Sequence, residues 1–109
     1  MRGIAGFVLL LVMAGTARAG FYSGNDLYGW CTTKSQYAAC YHYIEEIIDA
    51  NEAVEEGGTA DNRVCIPDGV GVEKLRQIVV KKLTEDADVR QEPAAGVVWL
   101  ALLNVWPCR

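Results

Sequence analysis

At 109 residues, the chain has the length of one small domain. Its 14 Asp and Glu residues outnumber its 10 Lys and Arg residues, which gives a formal net charge of -4 at pH 7. This acidic balance argues against nucleic acid as a partner, because phosphate binding needs a basic surface.

The N-terminal segment has the pattern of a secretory signal peptide. Arg2 supplies a positive charge, residues 4–14 form an apolar run, and residues 17–19 read Ala-Arg-Ala, an A-x-A cleavage site. A membrane anchor is the less favoured alternative, because the run is shorter than the ~20 residues that span a bilayer. We therefore expect a signal peptide over residues 1–19, a single domain over residues 20–109, and a periplasmic protein without membrane insertion after cleavage.

Two helices are predicted in the first half of that domain. Ser23 or Asn25 can cap a short helix that ends near Cys31. A longer helix follows, with Ser35 as a plausible N-cap and an end near Glu56, before the Gly57-Gly58 pair. Its apolar residues recur at helical spacing and line one face: Tyr37, Cys40, Tyr41, Ile44, Ile47, Ile48 and Val54.

The opposite face of this helix is acidic. Residues 45–61 contain seven carboxylates and no basic residue, and residues 57–64 form an exposed loop with almost nothing to bury. The stretch is either a solvated, solubilising surface or a patch whose charge is compensated by a cationic protein partner. For the second interpretation, the candidate contact residues are Glu52, Glu55, Glu56, Gly57, Gly58 and Asp61.

Two more helices are predicted after a rigid turn at residues 65–70, where Pro67 fixes its own φ and Gly69 permits a left-handed conformation. Helical spacing from Val72 places Leu75, Ile78, Val79 and Leu83 on one face. The last helix is predicted over residues 94–106, with Pro93 near its first position. No strand-like alternation is found, so the fold class is all-α, a small disulfide-stapled bundle of about four helices.

The last helix is apolar nearly all round, and three other helices can hardly cover it completely. We therefore expect part of this helix to lie in the interface of a homodimer.

The four cysteines predict two disulfides, since an exported chain meets an oxidising compartment. Three pairings are open. We favour Cys40 with Cys65 and Cys31 with Cys108, which tie the long helix to the next element and the two ends together. A link between Cys31 and Cys40 would close a shorter loop and stabilise less. The cysteines include no close C-x-x-C pair, so we expect no metal.

No catalytic constellation is recognisable in the sequence. His42, the only histidine, falls on the acidic face, and a Cys-His pair would need a reduced cysteine. The segment Gly69-Val70-Gly71 lacks the preceding strand and the following Lys-Ser/Thr of a phosphate loop. We therefore expect neither enzyme activity nor a cofactor.

The segments GNDLYGWC, CYHYIEEIIDA, CIPDGVGVEKLRQIVVKKL and PAAGVVWLALLNVWPC, in this order, resemble the Rap/Tai family of immunity proteins associated with bacterial type VI secretion. The resemblance implies a small helical periplasmic protein, often dimeric, that binds and blocks a peptidoglycan amidase effector. Gly71 stands where that family usually has a capping Thr or Ser. The same fold resemblance extends to periplasmic acid-stress chaperones, so an envelope stress protein or holdase is the alternative function.

Overall fold

The computed structural model describes residues 22–56 and 63–108, including their side chains except those of residues 53–56. This part of the chain contains no β-strand and has two short 3-10 turns, Lys34–Gln36 and Ala87–Gln91. Its four helices are α1 (Gly24–Thr32), α2 (Tyr37–Glu56), α3 (Val72–Glu85) and α4 (Ala94–Val105). The predicted all-α class is confirmed. The predicted signal peptide, residues 1–19, lies outside the described residues.

A capping box fixes the start of α1. The backbone N–H of Asp26 donates to Ser23 Oγ at 3.2 Å, and the N–H of Ser23 donates to the Asp26 carboxylate at 3.0 Å. Each bond satisfies a donor that has no partner within the helix. The predicted cap at Ser23 is therefore confirmed.

The predicted cap at Ser35 is wrong. Ser35 lies inside the 3-10 turn Lys34–Gln36, which runs directly into α2. A residue that is already in a helical turn cannot adopt the extended conformation that an N-cap requires. The helix α2 begins at Tyr37 and ends at Glu56, which confirms the predicted end.

The starts of α3 and α4 lack side-chain caps. Gly71 precedes α3 with no side-chain hydrogen bond, as its missing hydroxyl implies. Gly69 has a φ of 89°, which confirms the predicted left-handed turn. Pro93 occupies the N-cap position of α4 rather than the first helical position. Trp106 is the C-cap of α4 rather than its last helical residue.

Each of the four helices packs against the other three. The side chains that meet at the centre are apolar, and no polar or charged residue is buried in the described part of the chain. Val89 contributes from the turn Ala87–Gln91. The remaining core residues come from the helices: Leu27, Cys31, Cys40, Ile44, Leu75, Val79, Leu83, Ala94, Val97, Val98, Ala101 and Leu102.

All four cysteines form disulfides, but the favoured pairing is wrong. The bonds are Cys31–Cys40 and Cys65–Cys108, each with 5.0 Å between its Cα atoms. The chain reverses between α1 and α2, so Cys31 and Cys40 meet although they are only nine residues apart. The 16 residues of α2 beyond Cys40 carry the chain roughly 24 Å away before it reaches Cys65.

Candidate partner-binding surface

The outer face of α2 carries the acidic stripe that the sequence predicts. Glu45, Asp49 and Glu52 are all exposed, as is His42. Of the predicted contact residues, Glu52 is therefore on an open surface. Glu55 and Glu56 belong to the last turn of α2, but their side chains lie outside the described residues, as do Gly57, Gly58 and Asp61.

A short ribbon lies next to this end of α2. The N–H of Cys65 donates to the carbonyl of Trp106 at 2.8 Å, and the N–H of Cys108 donates to the carbonyl of Arg63 at 3.0 Å. These two bonds form an antiparallel bridge between Val64 and Pro107, and the Cys65–Cys108 disulfide links the same two segments. Residues 63–65 are thus fixed to the C-terminal segment, residues 106–108.

The ribbon and two helices enclose a small hollow of about 60 Å³ beside Glu52. Its walls are formed by Ile48 and Glu52 of α2, by Val64 of the ribbon and the adjacent Ile66, and by Trp99 of α4. Val64 is half-buried, which corrects the expectation that residues 57–64 have almost nothing to bury. Glu52 therefore contributes a carboxylate to a depression whose other four wall residues have apolar side chains.

The acidic stripe has no intramolecular counter-charge in the part of the chain that is described. No ion pair there involves Glu45, Asp49 or Glu52. Two of the three lysines of α3 differ, because Lys81 pairs with Glu85 at 2.7 Å and Lys82 pairs with Asp86 at 3.7 Å. The carboxylates of the stripe are thus exposed and make no ion pair within the described residues.

A second polar cluster, which was not predicted from the sequence, is centred on Glu73 near the start of α3. Its carboxylate accepts two hydrogen bonds from Arg76 at 2.8 and 2.6 Å, one from Tyr41 at 2.6 Å and one from Gln77 at 3.0 Å. The bonds from Arg76, Tyr41 and Gln77 lower the pKa of Glu73 to about 2, and the bond to Glu73 raises the pKa of Tyr41.

Arg76 also ties three elements together. Its Nη1 donates to the carbonyl of Cys31, in the last turn of α1, at 2.8 Å, and its guanidinium lies 4.1 Å from the centre of the Tyr37 ring. These contacts use the arginine for support of the bundle. The i, i+3 spacing of Glu73 and Arg76 is visible in the sequence, but the partners Tyr41 and Cys31 are not.

Arg90 repeats this arrangement at the end of α3. Its Nε donates to the carbonyl of Leu83 at 2.8 Å, and its guanidinium lies 4.2 Å from the centre of the Tyr28 ring. A cation is favourable there, because the last carbonyls of a helix carry partial negative charge.

Neither a metal-binding cluster nor a membrane span is found within residues 22–56 and 63–108. No group of three or more His, Cys, Asp and Glu residues is placed there to hold a metal ion. No helix in those ranges has the length and apolar character that crossing a bilayer requires.

Comparison with known proteins identifies a family for this chain. The family model described as Rap1a immunity proteins matches residues 23–108, which include all four helices and both disulfides. No curated protein and no solved structure matches the chain. The match confirms the resemblance drawn from the sequence, and the chain belongs to the Rap1a immunity protein family.

Proposed function

We propose that this protein protects a cell against a secreted peptidoglycan amidase by binding that effector in the periplasm and blocking its catalytic cleft. The family supports an immunity protein that binds an effector, and proteins of that kind generally act without catalysis. The amidase target and the periplasmic location are parts of the proposal that follow from the resemblance and from the signal-peptide pattern.

The observation that carries the proposed contact surface is the exposed acidic stripe of α2. Glu52 lies beside the hollow of Val64, Ile66 and Trp99, so charge and apolar surface are available together. A partner with basic residues around its cleft would gain a faster encounter from the stripe and desolvated contacts from the hollow. The remaining proposed contacts are Glu55, Glu56, Gly57, Gly58 and Asp61.

Binding to the purified cognate amidase would test the surface. Glu52→Lys, and separately the double change Glu55→Lys with Glu56→Lys, should weaken binding about tenfold or more, mainly through slower association. The thermal midpoint should change little. Titration calorimetry would measure the affinity for the amidase, and the rate of peptidoglycan cleavage would measure its inhibition.

Asp88→Lys is the matched control, because Asp88 is exposed on the turn Ala87–Gln91 and the change alters the net charge by the same amount as Glu52→Lys. It should leave binding nearly unchanged. Equal weakening by both single changes would mean that net charge matters and the stripe does not. Full affinity in all acidic-stripe variants would remove this surface from the proposal.

We also propose that α4 takes part in a homodimer. Leu100 and Val105 are each 47% exposed, so two large apolar side chains of α4 are available to a second copy of the chain. Sedimentation of the wild type and of Leu100→Glu should show a dimer and a monomer, respectively. A wild-type monomer at micromolar concentration would contradict the dimer.

The same exposed residues support the second candidate function, an envelope stress protein or holdase. In that case acid should dissociate the protein and increase its binding of a hydrophobic dye. Protection of an unrelated client protein from aggregation at low pH, with no affinity for the amidase, would favour this candidate.

A further inference from the structure

The two disulfides differ in their access to solvent. Cys31 and Cys40 are both 0% exposed and lie in the core between α1 and α2. Cys65 is exposed and Cys108 is half-buried, because both belong to the ribbon at the surface. A thiolate has to reach a sulfur atom in order to displace the other sulfur, so access decides which bond reacts first.

The outer disulfide joins two segments that lie outside the fully buried core, although Val64 and Trp106 of these segments pack against it. It joins residues 63–65 to residues 106–108, which otherwise share the two backbone hydrogen bonds that form the Val64–Pro107 bridge. No residue of either segment is among the buried core residues, which come from the helices and Val89. Because neither Cys65 nor Cys108 lies in a helix, opening this bond breaks no covalent link between two helices.

We propose that Cys65–Cys108 is a redox modification site, at which a dithiol reductant opens the ribbon while Cys31–Cys40 stays closed. A thiolate of the reductant attacks Sγ of Cys65, and a bond forms between these two sulfurs. The Cys65–Cys108 bond breaks, and its electron pair leaves with Sγ of Cys108, which takes a proton from water.

The second thiol of the reductant then completes the exchange. As a thiolate, it attacks the reductant's own sulfur in the mixed disulfide and releases Cys65, which also becomes a thiol. The reductant loses two electrons and forms a cyclic disulfide, and the protein gains those two electrons.

The exchange would reshape the surface beside Glu52. Val64 flanks Cys65 on one side and Ile66 on the other, and both line the hollow next to Glu52 and Trp99. Without the disulfide, only two hydrogen bonds and partial burial hold these two walls in position. This consequence for the surface does not depend on whether an amidase binds there.

Timed reduction of the oxidised protein with dithiothreitol, quenched with iodoacetamide and mapped by mass, would test the proposal. Cys65 and Cys108 should be alkylated on the order of a hundredfold faster than Cys31 and Cys40, because the buried pair reacts only after local opening of the core. During the fast phase, the helical circular dichroism should stay constant while fluorescence from Trp99 and Trp106 changes.

A common rate for all four cysteines, or loss of helical signal together with the first pair, would overturn the proposal. The double variant Cys65→Ser with Cys108→Ser imitates the opened ribbon. It should retain the helical signal and lack the fast phase. An unfolded double variant would also overturn the proposal, because the opened state would then not be a folded one.

Discussion

The hydroxyl of Tyr41 on α2 donates a hydrogen bond to the carboxylate of Glu73 on α3 at 2.6 Å. Arg76 binds the same carboxylate and also reaches the carbonyl of Cys31 on α1. One acidic side chain thus connects three helices. The ionised carboxylate accepts all of these hydrogen bonds, so they favour the ionised form of Glu73 over the protonated form.

This connection predicts a dependence of stability on pH. The pKa of Glu73 falls from 4.5 to about 2 on folding, so the ionised carboxylate stabilises the folded state at pH values above 4.5. This contribution is lost as the pH falls from 4.5 to about 2. Glu73→Gln should therefore have a lower thermal midpoint than the wild type at pH 7, and the two midpoints should converge near pH 2.

Glu85→Gln is the control for this series. The Lys81–Glu85 pair joins two side chains that are 70% and 61% exposed, and exposed pairs of this kind contribute little. Its midpoint should follow that of the wild type at every pH. A constant difference between Glu73→Gln and the wild type from pH 7 to pH 2 would contradict the assigned role of Glu73.

Two glycines of α1 should respond to alanine in opposite directions. A Cβ atom at Gly24 would overlap the carbonyl oxygen of Val89 and lie 2.7 Å from the Cα atom of Arg90, both of which are backbone atoms. Gly24→Ala should therefore destabilise the protein by about 1–3 kcal/mol, as overpacking does. A Cβ atom at Gly29 would meet nothing within 4 Å.

Gly29→Ala should thus stabilise the protein by about 0.5–1 kcal/mol, because alanine is the better helix former. Urea titrations followed by circular dichroism would measure both changes. Equal effects of the two substitutions would show that the backbone of Gly24 is not as close to the turn Ala87–Gln91 as described.

The local features of this fold could be predicted from the sequence, and its long-range pairings could not. Periodicity and turn residues predicted the end of α2, a cap at Ser23 or Asn25 and the left-handed Gly69, because each of these features depends on a few neighbouring residues. The disulfide pairing depends on where helix ends meet. The spacing of the cysteines does not contain that information, so the entropic preference for longer loops gave the wrong pairs.

The candidate surface shows the same division. The exposure of Glu45, Asp49 and Glu52 follows from their helical spacing, and the structure confirms it. The hollow beside Glu52 is made by residues as far apart in sequence as Ile48 and Trp99. Only the packing of α2, α4 and the ribbon brings them together, so no pattern in the sequence could have indicated it.

The cap at Ser23 should have a measurable effect on stability. Ser23→Ala removes the acceptor for the N–H of Asp26 and should cost about 1 kcal/mol, or roughly 4–8 °C in thermal midpoint for a domain of this size. Ser35→Ala is the matched control, since Ser35 lies in a 3-10 turn that has no side-chain cap. A larger loss from Ser35→Ala would restore Ser35 as the cap of α2.

Replacement of Arg90 by lysine should destabilise the protein although the positive charge is kept. Its Nε binds the carbonyl of Leu83 while its plane lies over the ring of Tyr28, and a lysine ammonium cannot make both contacts in the same geometry. Arg90→Lys should therefore lower the free energy of unfolding by about 1–2 kcal/mol. Arg63→Lys is the control, because Arg63 is exposed and its described hydrogen bond uses only its backbone carbonyl. If chemical denaturation gave the same midpoint for both variants, the contacts of Arg90 would be incidental to the stability of the α3 end.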